Sequence, residues 1–150
     1  MKVSNIVLIV AIIASVIGLA TSSWSTMKHP VGSVSMGLWK SCATANGKTH
    51  CATPEGMPSA VHLVRGLAIA SIVCMVAAVV IKQYYPKWMN VACWMVVAGT
   101  LAGAGAATVW ATNDELTPKA ASYGYSWYSN AAGAGLAAAA AGMCFFGKHA

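Results

Sequence analysis

The sequence predicts a membrane-spanning, left-handed bundle of four α-helices with a small antiparallel β-sheet from its first outer loop. Three observations predict it. Only 8% of the 150 residues are charged while 58% are hydrophobic, and the mean hydropathy is +0.65. A soluble domain carries about 25% charged residues, so this chain cannot cover a globular surface with charge. Four apolar segments each offer the ~20 residues that a spanning helix needs. Between the first two lies a polar stretch in which two cysteines flank an Asn-Gly.

The segments are placed at residues 5–23, 60–81, 88–110 and 125–146, within one four-helix domain covering 1–150. Two outer loops, 24–59 and 111–124, and one inner loop, 82–87, join them. Lys2 and the small residues Ala20-Thr21-Ser22 would also suit a signal peptide. The segment stands in the chain together with Met1 and is read as a retained helix. Trp88 and Trp110 bracket the third segment. Their spacing is about 33 Å of helix at 1.5 Å per residue, which suits Trp at both membrane interfaces. Tyr84 and Tyr85 join Trp88 at one interface; Trp24, Tyr123, Tyr125, Trp127 and Tyr128 join Trp110 at the other.

The net charge of +6 comes from basic residues scattered singly among apolar runs. They make no basic patch with interleaved aromatics, so nucleic-acid binding is discounted. The two sides carry equal numbers of lysines: Lys2, Lys82, Lys87 and Lys148 against Lys28, Lys40, Lys48 and Lys119. The first set is dense and without acids. The second shares longer loops with Glu55, Asp114 and Glu115. Cationic loops stay on the cytoplasmic side, so both termini are expected in the cytosol.

In the first outer loop, Asn46-Gly47 is a strong hairpin signal, because both turn positions need positive φ. Counting outward pairs Ala45 with Lys48, Thr44 with Thr49, Ala43 with His50 and Cys42 with Cys51. The last pair is a non-hydrogen-bonded one, with Cα atoms about 4.5 Å apart, within reach of a disulfide. A disulfide needs an oxidising compartment, which again places this loop outside the cytoplasm. The alternatives are two free thiols, or a metal site from His29, Cys42, His50 and Cys51, whose spacings match no familiar zinc pattern. Upstream, VGSVSMGLWKSCA reads as one strand, and Pro54, Gly56 and Pro58 end the strand pattern before the second helix.

Trp24, the run Gly37-Leu38-Trp39, Cys42 and Cys51, with Arg65 near the outer start of helix two, together resemble the claudins. Peripheral myelin and epithelial membrane proteins share much of this pattern. The resemblance implies a claudin-like four-helix fold whose outer sheet contacts sister molecules. It also implies that sheet charges set ion selectivity, with Lys40, Lys48 and Glu55 as candidates and a basic balance favouring anions. Two departures bear on function. Only 14 residues separate Trp24 from Trp39, and the final GKHA leaves almost no cytoplasmic tail for a junction scaffold.

Small residues predict how the helices hold together. Gly99 and Gly103 form G-x-x-x-G in helix three. Gly133, Ala137 and Ala141 make a stripe in helix four, with Gly135 and Ala139 beside it. Such faces allow close packing where lipid removes the hydrophobic drive. Arg65 is expected to pair with loop carbonyls, and Asn90 and His62 to bond between helices. Cys74, Cys93 and Cys144 read as small buried apolar residues, with Cys144 a palmitoylation candidate at the cytosolic end.

Enzymatic chemistry is not expected. No acid falls in a predicted helix to hold glutathione, there is no C-x-x-C for thiol exchange, and Asp114-Glu115 reads as a solvated turn. No cofactor, metal or small-molecule substrate is implied. The expected partners are the lipid bilayer and proteins that meet the outer loops. The leading expectation is adhesion or barrier assembly. The alternatives are a structural membrane component of a large assembly, such as a viral inner membrane or an organelle complex, and an accessory subunit of a channel or receptor.

Overall fold

The computed structural model describes residues 3–53, 55–119 and 121–147. Lys2 and Lys148 of the charge argument, and Pro54, lie outside the described residues. Each apolar segment is a helix: α1 (Val3–Ala20), α2 (Ser59–Tyr84), α3 (Met89–Thr112) and α4 (Tyr125–Phe146). All four are long and apolar enough to cross a membrane. A helix suits lipid because it satisfies its backbone groups within the segment.

The helix ends have local causes. α1 stops at Ala20, short of the predicted 23, because the next residues bond to α4. The Thr21 hydroxyl lies 2.6 Å from both Ile17 O and Ser126 Oγ, and Ser23 N–H donates to Ser126 Oγ at 3.0 Å. α2 continues past the predicted 81 to Tyr84 and gives way at Tyr85, which precedes Pro86. A residue before proline is disfavoured in the helical region. A 3-10 turn over Pro86–Trp88 then leads into α3.

α1 packs chiefly on α4 and α2 chiefly on α3, with α3 against α4 and α1 against α2 closing the ring. Small residues set the close approaches. A side chain at Gly133 would meet Ala11 O of α1 at 3.0 Å, and one at Gly99 would meet Ser71 O of α2 at 3.0 Å. Gly103, Ala137 and Ala141 are buried as well. Gly135 and Ala139 face outward from the bundle.

Two apolar cores form. One, around Leu8, Met75, Val96 and Ala137, lies toward the α2–α3 connection. The other, around Trp24, Leu38, Val64, Trp110 and Leu116, lies under the sheet. Between them runs a buried polar layer. Ser71 Oγ donates to Gly99 O at 2.6 Å, Asn130 Nδ2 to Gly103 O at 3.1 Å, and Ser129 Oγ to Ala14 O at 2.7 Å. Each bond ties one helix to the backbone of another, so no helix can rotate without stranding a polar group.

The sheet has five antiparallel strands: β1 (Ser25–His29), β2 (Gly32–Met36), β3 (Ser41–Ala45), β4 (Lys48–Ala52) and β5 (Ser122–Tyr123). Their order is β4-β3-β2-β1-β5. Two expectations are corrected here. The stretch read as one strand is two, because Gly37-Leu38-Trp39 turns down onto the helices, and Gly37 N–H bonds to Lys40 O at 3.0 Å. The sheet also takes its edge strand β5 from the second outer loop, paired to Ser25 and Thr26.

Three further corrections concern the helices. Cys93 and Cys144 are a disulfide pair rather than separate apolar thiols, with Cα atoms 5.8 Å apart across the α3–α4 contact. Cys144 is thereby removed as a palmitoylation site, and Cys74 is the free cysteine. Trp24 and Trp110 are fully buried against each other, not in an interfacial belt. His62 bonds to Arg65 one turn along its own helix rather than to another helix.

Candidate functional site

The sheet meets the bundle at a junction built from the residues of the sequence signature. Arg65 sits in the second turn of α2, and its long stem lets the guanidinium reach the loop. Its Nε donates to Leu38 O at 2.7 Å, and one terminal nitrogen meets Met57 Sδ at 2.8 Å. The guanidinium also lies 4.6 Å from the centroid of the Trp39 ring, a cation–π contact. The Trp39 indole donates in turn to Leu19 O at the end of α1, at 2.9 Å. One cation and one indole therefore pin the turn 37–39 to two helices. Gly37 is needed there because a Cβ would overlap the Ser22 backbone.

A second set of bonds holds the first strand. Trp24 Nε1 donates to Gly18 O at 2.7 Å, and its ring stacks at a tilt on Trp110, 5.1 Å between centroids. Trp110 Nε1 donates to Ser25 Oγ at 2.7 Å, and the Ser25 hydroxyl donates onward to Leu116 O at 2.9 Å. Ser25 is thus one relay joining β1, α3 and the second outer loop. Trp127 of α4 adds a bond to Ala107 O at 3.0 Å.

Beyond the junction stands the clasped hairpin. Asn46 has φ 53° and Gly47 φ 75°, and the pairing runs Ala45↔Lys48 out to Cys42↔Cys51. That is the register counted from the turn. The cysteines are bonded, with Cα atoms 4.1 Å apart, and Thr44 and Thr49 bond across the strands at 3.0 Å. All five residues of β4 are exposed. With β4 at one end of the strand order, one side of its backbone has no neighbouring strand.

Lys40, Lys48 and Glu55 are all exposed. Lys40 lies with Trp39, Tyr125 and the disulfide along a groove of about 410 Å³ under the sheet. Lys48 begins β4, and Glu55 follows that strand. Among the described residues no three His, Cys, Asp or Glu side chains gather as a metal site. In the set weighed from the sequence, Cys42 and Cys51 are bonded to each other.

Sequence reasoning missed Ser25, Leu116 and Asn130. Asn130 carried a usable signal, as the lone amide inside the Ala/Gly-rich helix four. Ser25 carried none, since a serine beside a tryptophan in a loop is unremarked until the fold brings Trp110 to it. No protein-family model matches the chain, and no curated protein matches it.

Proposed function

We propose that this is a non-enzymatic, multi-pass membrane protein of claudin-like architecture. It contacts other proteins through its disulfide-clasped outer sheet, in adhesion or barrier assembly. The observation that carries the reading is the junction: Trp24, Gly37, Leu38, Trp39 and Arg65 converge there to hold the sheet in a fixed pose on the helices. A rigidly mounted sheet with an exposed edge strand presents a defined surface at low ordering cost. An unpaired strand edge is also a template for another chain.

In this reading both termini are cytosolic and residues 24–59 are extracytoplasmic, while the Cys93–Cys144 pair, buried between α3 and α4, lies inside the bundle and not in a cytosolic loop. The three acidic residues and the clasped hairpin fall on the sheet side, while Lys82 and Lys87 fall on the α2–α3 connection. Lys40, Lys48 and Glu55 are the charges placed to select partners or ions.

Cross-linking of the protein in its native membrane, read by mass spectrometry, tests the proposal. Cross-links between copies through Lys40 and Lys48 support adhesion or barrier assembly. Cross-links only to unlike proteins point instead to a component of a larger particle or an accessory subunit. Unchanged electrical resistance of a cell layer on expression would sink the barrier role.

A further inference from the structure

The end of the bundle away from the sheet contains a cleft of about 580 Å³ that the sheet-based reading does not use. It lies between the start of α1, the ends of α2 and α4, and the start of α3. Its wall is largely apolar, with Met89, Met143, Phe146 and the Cys144 side of the disulfide. At one place the wall is cationic: Lys82 sits there with its ammonium 3.2 Å from Ser4 Oγ. Gly142 leaves the cleft open, because a Cβ there would meet nothing within 4 Å.

Glu55, Asp114 and Glu115 are the chain's only acidic side chains, and all three lie in the loops at the sheet end. Lys87 lies on the α2–α3 connection, outside the cleft wall. The cleft falls within the roughly 300–1,000 Å³ of small-molecule sites, and it pairs an apolar wall with one cation. A free phosphate would find no use for the apolar wall, and a neutral hydrocarbon none for the lysine.

We propose that this cleft holds an anionic phospholipid, with an acyl chain along Met89, Met143 and Phe146 and its phosphate against Lys82. The site rests on the membrane placement of the bundle and is independent of the adhesion role. A basic residue at a membrane surface gives about 1 kcal/mol of attraction to anionic lipid, or about fivefold, so the preference has a measurable size.

The test is native mass spectrometry of the full chain released from micelles doped with equal phosphatidylglycerol and phosphatidylcholine. Phosphatidylglycerol adducts should exceed phosphatidylcholine adducts about fivefold. Lys82→Gln should bring the two to parity, while Lys87→Gln, outside the cleft wall, should keep the preference. Gly142→Leu should reduce both adducts by filling the cleft, and Lys82→Gln alone decides the matter if that variant does not fold. Equal retention of the two lipids by the unaltered chain overturns the proposal, as does a preference that survives Lys82→Gln. Displacement of the lipid by glycerol 3-phosphate overturns it too, because the head alone would then account for binding. A chain that purifies without detergent would refute the membrane placement itself, a separate outcome from loss of lipid preference.

Discussion

Replacing Ser25 by alanine should loosen the sheet from the bundle. The hydroxyl is buried and fully used, accepting from Trp110 Nε1 at 2.7 Å and donating to Leu116 O at 2.9 Å. Alanine leaves both partners buried without their bond, and each orphaned group costs about 1–3 kcal/mol. The sum is about 2–4 kcal/mol, because the vacated space lets the two groups relax in part. At about 2–4 °C per kcal/mol for a chain of this size, the midpoint should fall on the order of 10 °C. Thermal unfolding in micelles, followed by far-UV circular dichroism, measures it. The decisive comparison is a double-mutant cycle with Trp110→Phe, which removes the indole N–H. If the hydrogen bond is the cause, Ser25→Ala should cost about 1–2 kcal/mol less in that background. Equal costs in the two backgrounds would refute the relay and leave only loss of volume.

The remaining predictions concern the clasp, the junction and the helix contacts. Opening the hairpin bridge with Cys42→Ser frees a loop of sequence separation 9. This should cost about 2.6 kcal/mol on the chain-entropy estimate and admit protease at residues 46–47, visible by limited digestion. Arg65→Lys keeps the charge but loses the fork shared between Leu38 O and the Trp39 face. A loss of about 1–3 kcal/mol is expected by chemical denaturation in micelles, and an unchanged midpoint would argue against the junction. Gly133→Leu should separate α1 from α4 and impair folding, whereas the outward Gly135→Ala should be neutral or stabilising by up to about 1 kcal/mol. Maleimide labelling of denatured, unreduced protein should modify one cysteine per chain, Cys74; label found on Cys93 and Cys144 by peptide mapping would exclude their bridge.

What the sequence disclosed depended on how local each cause was. The helices follow from runs of apolar residues, and the hairpin from two adjacent residues that tolerate positive φ. Both are settled within a few positions of chain. The Cys93–Cys144 bridge spans 51 residues and depends on α3 lying against α4, which no nearby residue encodes. Trp110 misled for a related reason. Tryptophan near a helix end suits a lipid interface, and only the arrival of Trp24 and Ser25 turns that position into a core. The strand break at residues 37–39 was masked because glycine, leucine and tryptophan are compatible with extended chain. What bends them is Arg65, 27 residues on from Leu38.

The fifth strand has a consequence for how the molecule is made. Four strands come from residues 25–52, and β5 from Ser122–Tyr123, with two of the four helices synthesised in between. A nascent chain can therefore build the clasped hairpin early. The β1 edge, however, stays open until α3 has been made and the loop after it emerges. During that interval Ser25 and Thr26 of β1 lack the partners that Tyr123 and Ser122 later supply, and an open edge is where chains pair wrongly. A chain truncated before residue 122 would leave Ser25 and Thr26 open for good, so the short second loop covers the start of the β1 edge.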